Sequence, residues 1–325
     1  MSKIRKSLAY GIGGLAGIVG LGALHQAIAN QRDLQRYPPP GKLIDVGGYS
    51  LHIKCMGKGF PAVVLDSGLS HNGLVWSLVQ PEVARFTQVC SYDRAGYGWS
   101  DAGPRPRTCR QIAYELHTLL QNVHIAGPYV VVGHSFGGMN IRVFADMYPD
   151  DVVGLVLVDA AHEDQRKRMP QAQFRTRLIQ DLQWQWFRLN SLWARLGIWR
   201  LRNQPFGVIK ELPSQLQAVA TALGYRSNAY DWVWGEAGSI PGSEKQVRAT
   251  GSLGDLPLTV LSAHMGDEMV DQYWQALQAD LAQLSSNATH IVAEKGGHNL
   301  HIDEPELVVD AIQVMVEAIR ENQQQ

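Results

Sequence analysis

The sequence predicts an α/β fold with a mostly parallel sheet flanked by helices, and three observations predict it. Short apolar, often β-branched runs alternate with stretches of helical periodicity along most of the chain. Val152–Val158 is a continuous apolar run, the pattern of a strand covered on both faces. Residues 130–138 read as strand, sharp turn and helix, with Ser135 at the apex of Gly133-His134-Ser135-Phe136-Gly137. The 325 residues allow one large domain with an insertion, and a formal net charge of −1 leaves no nucleic-acid footprint.

At the N-terminus, Lys3, Arg5 and Lys6 precede an uncharged, Gly-rich apolar run over residues 8–24. At about seventeen residues it lies at the lower edge of a membrane span and is long for a signal-peptide core. Leading positive charge orients such a segment with its start in the cytoplasm and the remaining chain on the other side. Residues 1–30 are therefore expected to be a membrane anchor or signal segment lying outside the fold. Ala27 and Ala29 offer a small-x-small cleavage site, so a secreted or periplasmic product stays open. Residues 31–41 are polar and then Pro-rich, a stiff linker ending in Pro38-Pro39-Pro40-Gly41.

The core is expected over residues 42–160 and 255–325. Residues 42–46 and 49–54 flank Gly47-Gly48 as a hairpin, and residues 62–65 and 86–92 form two further strands. Residues 108–123 carry apolar side chains at helical spacing (Ile112, Leu116, Leu119, Leu120, Val123) and lead into the strand before Ser135. Leu258–Ser262 and residues 290–293 complete the strands, and a last helix starts at Pro305. Residues 161–254 break the rhythm: they are helical in pattern and hold six of the nine tryptophans (Trp184, Trp186, Trp193, Trp199, Trp232, Trp234). Phe174, Leu178, Leu182, Trp186, Leu189, Trp193 and Leu196 recur at helical spacing there. This insertion is expected to pack on the sheet domain as a helical cap walling an apolar pocket. Its Trp and Arg content also suits a membrane surface.

A serine hydroxyl needs a base, and the base needs an orienting acid. His298 follows the last strand in a Gly-flanked loop, Gly296-Gly297-His298, and is the expected base; His301 is the weaker competitor. The acid is sought between nucleophile and base in chain order. Asp267, after the strand Leu258–Ser262, is the choice, with Asp159 at the end of Val152–Val158 as the alternative; Glu268 and Asp271 share the first loop. The backbone N–H groups of Phe136 and Leu69 are expected to form the oxyanion hole.

The Gly-His-Ser-Phe-Gly-Gly turn, the order Ser135, Asp267, His298, and Asp93-Arg94-Ala95-Gly96-Tyr97-Gly98-Trp99-Ser100 together resemble the α/β-hydrolase superfamily. The likeness covers residues 42–320, with the insertion where that family carries its cap, after the sixth strand. It implies the α/β-hydrolase fold and acyl-transfer chemistry without a metal or organic cofactor; no Cys/His spacing points to zinc either. Two departures stand out: Ser67-Gly68 replaces a frequent His-Gly before the oxyanion loop, and the serine nucleophile disfavours epoxide hydrolase and dehalogenase chemistry. Asp93 and Arg94 are read as pinning their loop by hydrogen bonds. The family topology makes the strands carrying Cys55 and Cys90 neighbours, which implies a disulfide in an exported domain, with Cys109 free.

The expected function is hydrolysis of a carboxylic ester with an apolar acyl or aromatic part. The partners are then a small-molecule ester-like substrate and, through the N-terminal segment, a membrane, with no nucleic acid. Amidase or aminopeptidase, lactonase, carbon–carbon hydrolase and cofactor-free haloperoxidase reactions use the same groups. A non-catalytic membrane-anchored binding protein is the rival from another class.

Overall fold

Eight strands form one sheet in the order β1-β2-β4-β3-β5-β6-β7-β8. The computed structural model describes residues 3–169, 185–186 and 189–323, with the side chains of residues 3–12 and 15 outside the description. The expected apolar positions Phe174, Leu178 and Leu182, together with Trp184, lie outside the described residues.

A helix α1 (Lys3–Arg36) precedes the sheet. β1 (Lys42–Asp45) and β2 (Ser50–Met56) pair antiparallel across the Gly47-Gly48 turn, and β2 pairs antiparallel with β4 (Val89–Tyr92). The remaining pairs are parallel and bring in β3 (Ala62–Asp66), β5 (Tyr129–His134), β6 (Val152–Val158), β7 (Leu258–Ser262) and β8 (Ala288–Val292). β4 is shorter than expected at its start, because Phe86 and Thr87 close a turn through bonds to the Val83 carbonyl. Cys55 and Cys90 stand opposite each other across the β2–β4 pair and form a disulfide. Closing a loop of 35 residues in the unfolded chain stabilises the fold by about 4 kcal/mol in the chain-entropy picture.

The alternation of side chains along each strand sends two sets of residues into two cores. Val131, Leu155, Leu157 and Val260 face α2 (Cys109–Val123) and α3 (Phe136–Met147), with Ile112, Leu116 and Phe144 opposite them. Val130, Val132, Val156 and Leu261 face the other way, onto Val308, Ile312 and Val316. Those three residues come from the last helix, Pro305–Gln323. β5 and β6 are thus apolar on both faces, as the unbroken run of β6 required.

Between β6 and β7 the described residues contain helices and no strand. α4 (Ser214–Gly224) and α5 (Ser227–Thr250) are the longest, and α5 lies against α2 and α3. Trp199 packs with Tyr225, Tyr230 and Trp193, so these aromatics serve the insertion's own core. Trp186 is 56% exposed. After β7 comes α6 (Glu268–Ala282).

The N-terminal segment departs from expectation. α1 continues through residues 31–36, which leaves only residues 37–41 as linker. Its second half is not outside the fold either: Gln26 is buried and its Nε2 donates to the Tyr225 carbonyl at 2.8 Å. Arg200 of the insertion reaches Asp33 at 2.7 Å. Among the described residues, no helix is long and apolar enough to cross a membrane.

Candidate active site

The turn between β5 and α3 holds Ser135 at φ 51°, ψ −119°, a backbone strained for a residue with a side chain. Two glycines make it possible. A Cβ on Gly133 would stand 2.6 Å from the Gly137 backbone, and one on Gly137 would stand 2.5 Å from the Asp66 carbonyl oxygen. The Ser135 N–H donates to the Val158 carbonyl at 3.1 Å, which ties the turn to the end of β6. Phe136 opens α3, where a helix leaves its first N–H groups without intrahelical partners.

The loop after β8 is held by two carboxylates. Glu304 accepts from the Lys295 N–H at 2.9 Å and from Gly296, and Asp303 accepts from the Gly297 N–H at 2.9 Å. This places His298 with Nε2 3.0 Å from Ser135 Oγ. On its other side, His298 Nδ1 lies 2.5 Å from Oδ2 of Asp159. Asp159 is fully buried, and its Oδ1 accepts from the Ala263 N–H at 2.9 Å and from Trp274 Nε1 at 2.8 Å.

Asp267 is not in this chain of contacts. It is exposed and caps α6, its side chain accepting from the Val270 N–H at 3.1 Å. Asp271 is likewise committed locally, to His264 at 2.8 Å and the Met265 N–H at 2.9 Å. The expectation that Asp267 orients His298 therefore fails on geometry. β6 adjoins β5 whereas β7 is one strand further out, and the β6 end delivers its carboxylate beneath the histidine. His301, the weaker base candidate, is fully buried against the rings of Trp76 and His134.

Leu69 lies in the turn after β3, and a Cβ on neighbouring Gly68 would stand 3.2 Å from that of Ser135. Ser67 directs its hydroxyl away from the site, donating to the Asn72 carbonyl and accepting from Trp76 Nε1. Ser135 and His298 border a cavity of about 270 Å³. Leu69, Phe136, Met139 and Trp274 wall it from the core, while Ile240 and the ion pair of Arg166 and Glu244 close it from the insertion. The Arg166–Glu244 contact is bidentate, with both distances 2.6 Å.

The turn that carries Leu69 is gripped from behind. Buried Arg94 donates to the carbonyls of Ser67 (2.5 Å) and Gly68 (2.8 Å), to Asp66 (2.7 Å) and to both oxygens of Glu236 (2.8 and 3.0 Å). Burial alone would ease the proton off this guanidinium; Glu236 and Asp66 overcome that and hold its pKa well above the ordinary value. Asp93 braces the adjoining loop through the Gly73 and Trp99 N–H groups and His52. The reading of Asp93 and Arg94 as pinning residues agrees with these contacts. Glu236, on α5, was not legible in the sequence, since nothing near it marks a partner for a residue 142 positions away.

The residues 63–311 match the model of the alpha/beta hydrolase family, more than half of the chain. This chain belongs to the alpha/beta hydrolase family. It is similar to an AB hydrolase superfamily protein of Gibberella zeae, 25% identical over 285 residues, covering 80% of this chain and 87% of that protein. A protein of Hormonema carpetanum named "Probable transporter efuK" is 24% identical over 311 residues, 85% of this chain and 42% of that protein. The chain thus spans less than half of that relative's length. Among solved structures, a thermophilic esterase of Thermogutta terrifontis superposes with a TM-score of 0.57 at 20% identity, covering 84% of this chain and 94% of that one. At that identity the likeness concerns the fold.

Proposed function

We propose that this alpha/beta hydrolase family member is a serine hydrolase that cleaves a carboxylic ester through an acyl-enzyme. The observation that carries the reading is the unbroken line Ser135 Oγ, His298, Asp159 at the wall of a mainly apolar cavity. Ser135 Oγ attacks the carbonyl carbon while His298 Nε2 takes its proton. Asp159, held by two donors of its own, keeps the imidazole turned toward the serine and steadies its positive charge. The N–H groups of Phe136 and Leu69 receive the oxyanion. His298 then returns the proton to the departing alcohol, and water repeats the sequence to free the acid. The walls favour an apolar acyl or aromatic part, with Arg166 and Glu244 as a polar stretch of the lining.

The test is covalent labelling by a fluorophosphonate, read by intact mass. One adduct is expected on the wild-type chain and none on Ser135→Ala, with His298→Ala labelled at least about a hundredfold more slowly. Labelling that survives Ser135→Ala would assign the nucleophile elsewhere. A panel of esters against anilides separates ester from amide cleavage on the same groups.

The domain is further proposed to work on the non-cytoplasmic side of a membrane, tethered or released. The basic-then-apolar start of the chain and the Cys55–Cys90 disulfide both support this, because such bonds persist in oxidising compartments. Alkylation of chain isolated from its own cells without reductant is expected to modify Cys109 alone, once unfolded; three alkylated cysteines would contradict export.

A further inference from the structure

Beside the Ser135 turn, three imidazoles converge that the proposed reaction does not use. One ring nitrogen from each of His71, His134 and His301 lies within 4.8 Å of the other two. They arrive from separate elements: His71 from the loop after β3, His134 as the last residue of β5, and His301 from the short helix Leu300–Asp303. His134 and His301 are buried, and half-buried His71 gives the approach from solvent.

The nitrogens are set up as ligands. His134 Nε2 lies 2.8 Å from the carbonyl oxygen of His298 and must carry the proton it donates there, so Nδ1 presents a lone pair. That Nδ1 is buried without a hydrogen-bond partner, as are His71 Nδ1 and both ring nitrogens of His301. Leaving a buried polar group unsatisfied costs about 1–3 kcal/mol. Unsatisfied nitrogens on all three converging rings call for a shared ligand. Gly68 leaves the space beside His134 open, since a Cβ there would stand 2.8 Å from Nδ1.

We propose that His71, His134 and His301 bind one divalent transition-metal ion, with zinc the best fit to three neutral imidazoles and an open fourth position. Tetrahedral zinc at about 2.0–2.1 Å from each ligand sets the nitrogens about 3.4 Å apart, so the rings close on the ion by side-chain rotation. The bond from His134 to the His298 carbonyl is the outer-shell arrangement that orients metal-bound histidines. It also connects the ion to the loop that presents His298, so the bound ion braces that loop. The site stands whether or not Ser135 is a nucleophile.

The experiment uses the full, untagged chain, stripped with chelator, equilibrated with zinc and freed of unbound metal before elemental analysis. About one zinc per chain is expected on wild type and on Ser135→Ala, and at least tenfold less on His71→Gln and His301→Ala. Cobalt in place of zinc should give the visible ligand-field bands of a low-coordinate nitrogen site, lost in both variants. His71 lies nearest solvent, so His71→Gln gives a readout even where His301→Ala fails to fold. Wild type that retains neither ion overturns the proposal, and so does equal retention by wild type and His71→Gln. Loss of fluorophosphonate labelling with zinc still bound would overturn only the hydrolase reading.

Discussion

Asp159→Asn is expected to lower the rate of ester hydrolysis by about 10³–10⁴-fold, while Asp267→Asn leaves it within about twofold. The reason lies in what each side chain must do. Asp159 Oδ1 already accepts from Ala263 and Trp274, so an asparagine there keeps its single oxygen on those donors and turns its amide NH₂ toward His298. His298 Nδ1 then has to accept, which moves the ring proton to Nε2, and Nε2 can no longer take the proton of Ser135. Asp267 only caps α6, and asparagine caps a helix as well as aspartate does. The check is kcat on one ester substrate alongside the labelling rate, with circular dichroism to confirm the fold. The opposite ranking of the two variants would return the acid's role to the β7 loop.

The second large effect falls on stability. Glu236→Ala is expected to destabilise the chain by about 3–5 kcal/mol, because it strips a buried guanidinium of its paired carboxylate. Arg94 would keep Asp66 and two carbonyls but lose both bonds to Glu236, and the hydroxyl of Tyr97 would lose its acceptor at 2.9 Å. For a domain of this size that corresponds to a fall of about 4–7 °C in Tm. Because Arg94 also grips the carbonyls of Ser67 and Gly68, the turn carrying Leu69 should loosen, and fluorophosphonate labelling should slow beyond what the unfolded fraction accounts for. Thermal and denaturant melts of Glu236→Ala and Glu236→Gln test this. A Glu236→Ala variant that melts within about a degree of wild type would mean that Arg94 finds water or another acceptor.

Much was written in the sequence by itself, because it depends on local physics. A β-branched run followed by Gly-x-Ser-x-Gly and a helix can hardly fold otherwise than as strand, strained turn and helix, and Ser135 sits where that pattern puts it. The unbroken apolar run of β6 requires cover on both faces, and it has both. The glycine-containing loop after the last strand, held by Glu304 and Asp303 through its backbone N–H groups, brought His298 within reach of Ser135.

What the tertiary structure decided were choices between residues that look alike along the chain. Asp159 and Asp267 both follow strands, and both lie between Ser135 and His298 in order. Only the adjacency of β5 and β6 puts the first under His298, while the second serves the helix it begins. Glu236 meets Arg94 across 142 residues, and Gln26 meets Tyr225 across 199, because burial forces each polar group to a partner wherever the fold supplies one. The same holds for His71, His134 and His301. No spacing in the sequence links them, and packing alone sets their nitrogens together, beside the serine.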